Sequence, residues 1–294
     1  MSSTPKNNHS FHPQRRAAMK VCASGMLLCA FGFDSPAWSQ QQPLALSTAI
    51  NRAGRLRALS QRVTKAYAQL VLGVLPEQSQ AVMAAAQRIV KSSLAELARA
   101  GLPAEASALL VLCTTDADRL DALVAGVPAP ARLAEVNKTA EQLLVNADRL
   151  TALLESRGKS GAKIINIAGR QRMLSQRMAK SYMLIEAGQD PSGLRKQLDA
   201  ARSEFVMGMD TLEAAPVSTP AIKQNLTLAR TQWLFYQNAL DGKDKTTARR
   251  DVATTSERIL EVMDTLTGLY DGALKELLGS MAYNDTQFAA LSLS

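Results

Sequence analysis

Apolar residues recur along this chain at intervals of three and four, and the pattern is interrupted at matching places in its two halves. Leu143, Leu144, Leu150 and Leu154 illustrate the spacing, which gathers them on one helical face for burial. Stop signals pair up: Gly73 with Gly188, Gly101-Leu102-Pro103 with Ala215-Pro216, and Gly126-Val127-Pro128 with Asp241-Gly242. Start signals agree, since Asp190-Pro191 and Thr219-Pro220 each set a capping side chain before a proline at the first helical position. The pattern predicts helices over 44–73, 77–100, 104–125, 131–157, 160–188, 191–214, 219–241 and 245–279. Four long helices on short turns make an up-down-up-down bundle. The expected fold is therefore all-α: two tandem four-helix bundles, 40–158 and 159–280, related by an internal pseudo-twofold and followed by a tail at 281–294.

The halves repeat a sequence as well as a pattern. Between 50–73 and 165–188, 13 of 24 aligned positions are identical, whereas 76–100 and 191–215 share only 5 of 25. The copies have drifted apart except along their first helices, so function is sought there. The fourth helices also correspond, at an offset of 116: Asp148, Leu150, Thr151 and Leu153 answer to Asp264, Leu266, Thr267 and Leu269.

The amino end reads as a leader. Arg15, Arg16 and Lys20 precede the apolar stretch from Val21 to Phe33, and Ala37-Trp38-Ser39 has the small-x-small form of a signal-peptidase site. An apolar stretch this short does not span a ~30 Å hydrocarbon layer, so residues 1–39 are expected to be a cleaved signal peptide and the mature protein periplasmic. Arg15-Arg16 also resembles a twin-arginine signal, leaving the export route open, and Leu28 is too large for lipidation at Cys29. Both histidines, His9 and His12, and the cysteines Cys22 and Cys29 fall inside this leader. What remains has Cys113 alone and no histidine, which excludes an internal disulfide, histidine-ligated haem, the usual zinc sites and histidine-activated nucleophiles. Neither metal nor cofactor is expected. The mature chain keeps 30 basic and 25 acidic residues, a net charge of +5 that favours anions without implying nucleic acid. Ala, Leu, Gln, Arg and Glu dominate it, as suits helices. Cys113 and the aromatic group Trp233, Phe235 and Tyr236 are expected in the core.

At 100° per residue, Ile50, Gly54, Arg57 and Gln61 share a stripe of the first helix, as do Ile165, Gly169, Arg172 and Gln176 of the fifth. That spacing normally carries leucines; here it carries a glycine, a guanidinium and an amide. A mid-helix glycine costs about 1 kcal/mol against alanine, so its expected use is close approach of the opposite copy of the same helix. Arg57 and Arg172 would then face each other across the seam. Two guanidiniums about 6 Å apart repel by ~3 kcal/mol at an effective dielectric of 20, and an anion between them reverses the sign. Their planar donor edges suit a small planar oxyanion or a carboxylate. Asn51, Asn166, Gln61 and Gln176 are expected to complete the site as neutral donors, while Ser60 and Ser175 lie off the stripe.

The phrase Ile-Asn-x-Ala-Gly-x-x-Arg-Met-x-Ser-x-Arg, complete at 165–177, resembles the first-helix motif of nitrate- and nitrite-sensing histidine kinases and of the related amino-terminal domain of type IV pilus methyl-accepting chemotaxis transducers. The resemblance implies a periplasmic four-helix bundle that pairs as a dimer, the motif arginine of each subunit binding one anion on the twofold axis. By position that arginine falls on Arg57 and Arg172, and the motif glycine on Gly54 and Gly169. The first copy departs at Ala58, where methionine is usual. Since no signalling linker, kinase or methylation helix follows Leu278, the chain resembles a sensory module separated from its transmitter, with both halves of the dimer fused. The expected protein is a sensor of a small anion, nitrate or nitrite foremost, acting through a membrane receptor, kinase or transporter. Two other classes stay open: a helical interaction module whose Arg-rich seam docks an acidic partner without a small ligand, and an enzyme, which no pair of carboxylates supports.

Overall fold

The computed structural model describes residues 46–158 and 161–291, with side chains described over 46–158 and 163–277. The expected leader, with its export and cleavage signals, lies outside the described residues. Eight α-helices follow one another, α1 Leu46–Val71, α2 Pro76–Arg99, α3 Ala104–Val124, α4 Leu133–Ser156, α5 Gly161–Glu186, α6 Pro191–Glu213, α7 Pro220–Leu240 and α8 Lys245–Leu291. The fold is all-α, with no strand among the described residues. None of these helices is long and apolar enough to cross a membrane.

Local chemistry sets the ends. Gly73 and Gly188 take φ of 66° and 80°, and the next amides reach back, Val74 to the Gln69 carbonyl at 2.9 Å and Gln189 to that of Leu184 at 3.0 Å. This left-handed glycine closure terminates α1 and α5 in the same way. Asp190 and Thr219 cap α6 and α7 by accepting from the amides of Ser192 and Ile222. Most ends fall within two residues of expectation, and the start of α4 and the end of α8 are the notable cases. A 3-10 turn at Pro130–Arg132 precedes α4, which starts only at Leu133. At the other end α8 runs past 279 to Leu291, through the expected tail, since Ser280 to Leu291 contain neither proline nor glycine.

The described helices pack as one unit around a continuous apolar core. α1 lies against α2, α4 and α5, while α5 lies against α1, α6 and α8; α3 closes on α4 and α7 on α8. Leu143, Leu144, Leu150, Leu154 and Cys113 are buried as expected. Trp233 and Tyr236 are too, with Phe205 stacked on Trp233 at 4.6 Å, but Phe235 is 55% exposed. Two residues beyond Trp233 and one before Tyr236, it projects from another side of the helix.

The central placement of α1 has an unusual cost. From Ala53 to Gln69 every residue except Arg55 and Arg62 is buried. A helix enclosed on all sides is normally apolar throughout, yet this one encloses Arg57, Gln61, Thr64 and Lys65.

Candidate functional site

Arg57 and Arg172, each 1% exposed, meet where α1 crosses α5. A Cβ placed on Gly169 would lie 3.1 Å from Nη2 of Arg172 and 3.7 Å from Nη2 of Arg57, so both guanidiniums converge over that one glycine. On Gly54 a Cβ would meet Nη2 of Arg57 at 3.0 Å. This corrects the expected use of the glycines: what each makes room for is the folded-back arginine of its own helix, and at Gly169 the second arginine as well, rather than opposing backbone.

The partners of the two arginines are reciprocal. Arg57 donates from Nη1 to Asp148 at 2.8 Å and from Nη2 to Oδ1 of Asn166 at 2.7 Å. Arg172 donates from Nη1 to Asp264 at 2.5 Å and from Nη2 to Oδ1 of Asn51 at 2.9 Å. Each arginine thus takes a carboxylate from its own half and an asparagine from the other. Asp264 also accepts two bonds from Arg55, at 3.0 and 2.9 Å, and Asp148 a longer one from Arg170, at 3.4 Å. Toward the arginines Asn51 and Asn166 are acceptors, because the charged guanidinium supplies every proton in the contact, while Nδ2 of Asn166 donates to Glu155. Ser60 and Ser175 bond to the Arg57 and Arg172 carbonyls of their own helices.

Burial dominates the electrostatics. It lowers the pKa of Arg57 against the opposing pull of Asp148. Arg172 falls to about 10, burial acting first and the positive charges of Arg55 and Arg57 adding to it against Asp264. For Asp264, burial raises the carboxyl, but the charges and hydrogen bonds of Arg172 and Arg55 outweigh this and leave it below its ordinary value.

Gln61 and Gln176 do not join the arginines: among the described residues neither hydrogen-bonds to them. They sit one turn further along with a second polar layer, where Gln176 donates to the Ser256 carbonyl at 2.7 Å and Gln61 lies beside Glu141. In that layer Lys65 and Arg62 of α1 grip Glu257 of α8, and Lys180 and Arg177 of α5 grip Glu141 of α4. Lys180, buried away from water, drops to about 8 despite Glu141. Glu257 ends near 2: burial raises it, but Lys65 and Arg62 prevail.

The carboxylates are what the reading of the stripe missed. Asp148 and Asp264 recur at the same offset of 116 as Glu141 and Glu257, and Arg55, Lys65, Arg170 and Lys180 belong to the repeated segments. The signal was an acidic repeat on the fourth helices matching a basic repeat on the first. No cluster of His, Cys, Asp and Glu among the described residues is placed to hold a metal ion.

The family model for the type IV pili methyl-accepting chemotaxis transducer N-terminus matches residues 153–262. Over those residues the chain is similar to this family. The match is to the family that the motif resembles, and it spans the end of α4, all of α5 to α7 and much of α8, including Arg172 and Glu257. It covers less than half of the chain and leaves out α1, the helix in which Ala58 departs from the motif. No curated protein and no solved structure is significantly similar to the chain. The matched stretch is helical throughout its core, and Arg172 lies buried on α5 within it.

Proposed function

We propose that the protein is a periplasmic sensory module that holds one small oxyanion, nitrate or nitrite, between Arg57 and Arg172 and passes its occupancy to a protein partner. In this reading α1–α4 and α5–α8 are two sensor bundles joined in one chain, and the reciprocal Asn51–Arg172 and Asn166–Arg57 bonds are the self-complementary pairing that a twofold interface requires. The observation that carries it is the convergence of two buried guanidiniums over Gly169. Each offers five N–H donors in a plane, and Nε of Arg172 has no partner among the described residues, so donors remain for an incoming planar anion. The anion competes with Asp148 and Asp264 rather than relieving a bare pair of cations.

A docking seam for an acidic protein is disfavoured by the same burial, because no partner surface reaches two side chains that are 1% exposed. The partner must read another face. Thermal unfolding with and without nitrate or nitrite tests the proposal: at 100 times its dissociation constant the ligand adds ~2.7 kcal/mol. Arg57→Ala and Arg172→Ala should each remove that increment while far-ultraviolet dichroism keeps its helical amplitude. An unchanged melt in the presence of nitrate, nitrite and other small oxyanions refutes it.

A further inference from the structure

Beside the arginine pair, on the face formed by α1, α2 and α8, lies a cavity of about 470 Å3. The second half provides an internal control. At the corresponding place, against α6, the groove bounded by Leu174, Arg177 and Glu204 holds only about 280 Å3. Two replacements accompany the difference: Ala58 stands where the second copy has Met173, and Ile89 where it has Glu204. Glu204 grips Arg170, whereas Arg55, lacking that acid, turns both its bonds to Asp264. The first half has thereby gained space and an apolar wall of Ala58, Leu59, Ile89 and Leu260.

Charge in the cavity is uneven. Arg62 is held by Glu257, and Arg55 and Arg172 share Asp264. Arg258, which also lines the cavity, is exposed and makes no ion pair among the described residues. Among the described residues Nε of Arg172 is buried without a hydrogen-bond partner, although its counterpart in Arg57 donates to the Gly54 carbonyl at 3.4 Å. An unmet buried donor costs free energy unless something accepts from it. The volume falls within the range of about 300–1,000 Å3 usual for organic ligands, and far exceeds what a three-oxygen anion fills.

We propose that this cavity is a second ligand site, for a small organic carboxylate with an apolar body, its carboxylate meeting Arg172 and Arg258 and its body resting on Ala58, Leu59, Ile89 and Leu260. The site shares Arg172 with the oxyanion position over Gly169, so the two ligands contend for one guanidinium, but it does not require that position to be occupied.

Isothermal titration of the full chain with benzoate and with hexanoate tests this. Either probe should bind, and Ala58→Met, which installs the residue of the second copy, should weaken it at least tenfold by filling the space. Ile89→Glu, copying Glu204, should weaken it comparably through charge, and Arg258→Ala should cost about fivefold. Should the methionine variant fail to fold, the other two decide. Binding of neither probe, or affinities unchanged in the folded variants, overturns the proposal. Nitrate-dependent melting is read separately: a protein that ignores nitrate yet binds benzoate in an Ala58-dependent manner refutes the oxyanion site and supports this one.

Discussion

If Asp264 competes with the oxyanion for Arg172, then Asp264→Asn should make the protein less stable and the ligand bind more tightly. Two opposed effects follow from one charge. A carboxylate near Arg172 and an anion on the far side of the same guanidinium lie about 7 Å apart, a repulsion of ~2.4 kcal/mol at an effective dielectric of 20. With its side chain 41% exposed, Asp264 is partly screened. Halving the figure leaves about 1 kcal/mol, a gain in nitrate affinity of roughly five- to tenfold. Without nitrate, Arg172 loses the charge that compensates its burial, and Arg55 loses a doubly bonded partner. Breaking a buried pair typically costs about 3–5 kcal/mol; with Asn still able to accept from Nη1 and one partner exposed, about 2 is expected. In a unit of this size that lowers the melting temperature by roughly 4–8 °C. Melts across a nitrate titration measure both quantities at once. A variant that is destabilised and also binds nitrate more weakly would mean that Asp264 positions the anion's arginine rather than competing for it, and the reasoning fails.

Three further outcomes are expected. Glu257, held near 2 against an ordinary 4.5, contributes stability that is present above pH 4.5 and lost as pH falls toward 2; Glu257→Gln should flatten that acid limb and cost about 3 kcal/mol at neutral pH, and an acid limb of unchanged slope contradicts the assignment. Gly169→Ala places a methyl 3.1 Å from Nη2 of Arg172 and 3.7 Å from Nη2 of Arg57, so nitrate affinity should fall about tenfold, ~1.4 kcal/mol, with little loss of stability; unaltered affinity removes Gly169 from the site. The Cys113 thiol is buried and pushed up to about 12, first by desolvation, so it should resist Ellman's reagent at pH 8 in the native protein and react on unfolding, and rapid native labelling is the contrary result.

The parts of this structure that were legible in the sequence are those set by local chemistry. Gly73 and Gly188 end helices because their left-handed conformation suits glycine, and Asp190 and Thr219 begin them because their oxygens reach a nearby amide. Recurrence of Arg57 and Arg172 in the repeated stripe was enough to mark the seam. What was not legible depends on how α4 and α8 are rotated against α1 and α5. The stripe alone suggested two uncompensated cations, whereas Asp148 and Asp264, distant in sequence, sit against them. Asn51 and Asn166 had the right place, but their carbonyl oxygens are taken up by the arginines, since an amide offers a donor and an acceptor and only its neighbours decide how each is used. Gln61 and Gln176 shared the stripe but lie a turn beyond the arginines, where Glu141 and Ser256 supply other partners.

The second polar layer raises the question of why the centre of the protein buries so many ions. Lys65 is fully enclosed and its pKa is lowered, burial acting first against the pull of Glu257. Such a pair repays little of its desolvation, so a hydrophobic replacement of both members is often neutral, whereas removing one strands the other. Glu257 links α8 to Lys65 and Arg62 of α1, and Glu141 links α4 to Lys180 and Arg177 of α5. Each acid therefore ties the fourth helix of one half to the first helix of the other, which sets register more than stability. A double-mutant cycle separates the two roles. Glu257→Gln alone leaves the Lys65 ammonium without a counter-charge; Lys65→Met alone leaves Glu257 with Arg62, which reaches solvent through the cavity beside it. The double variant, with no buried ammonium to neutralise, should recover at least 1 kcal/mol of the loss expected from adding the singles. Strictly additive losses would mean that Lys65 and Glu257 act independently, and that the register of α1 against α8 is held by apolar packing alone.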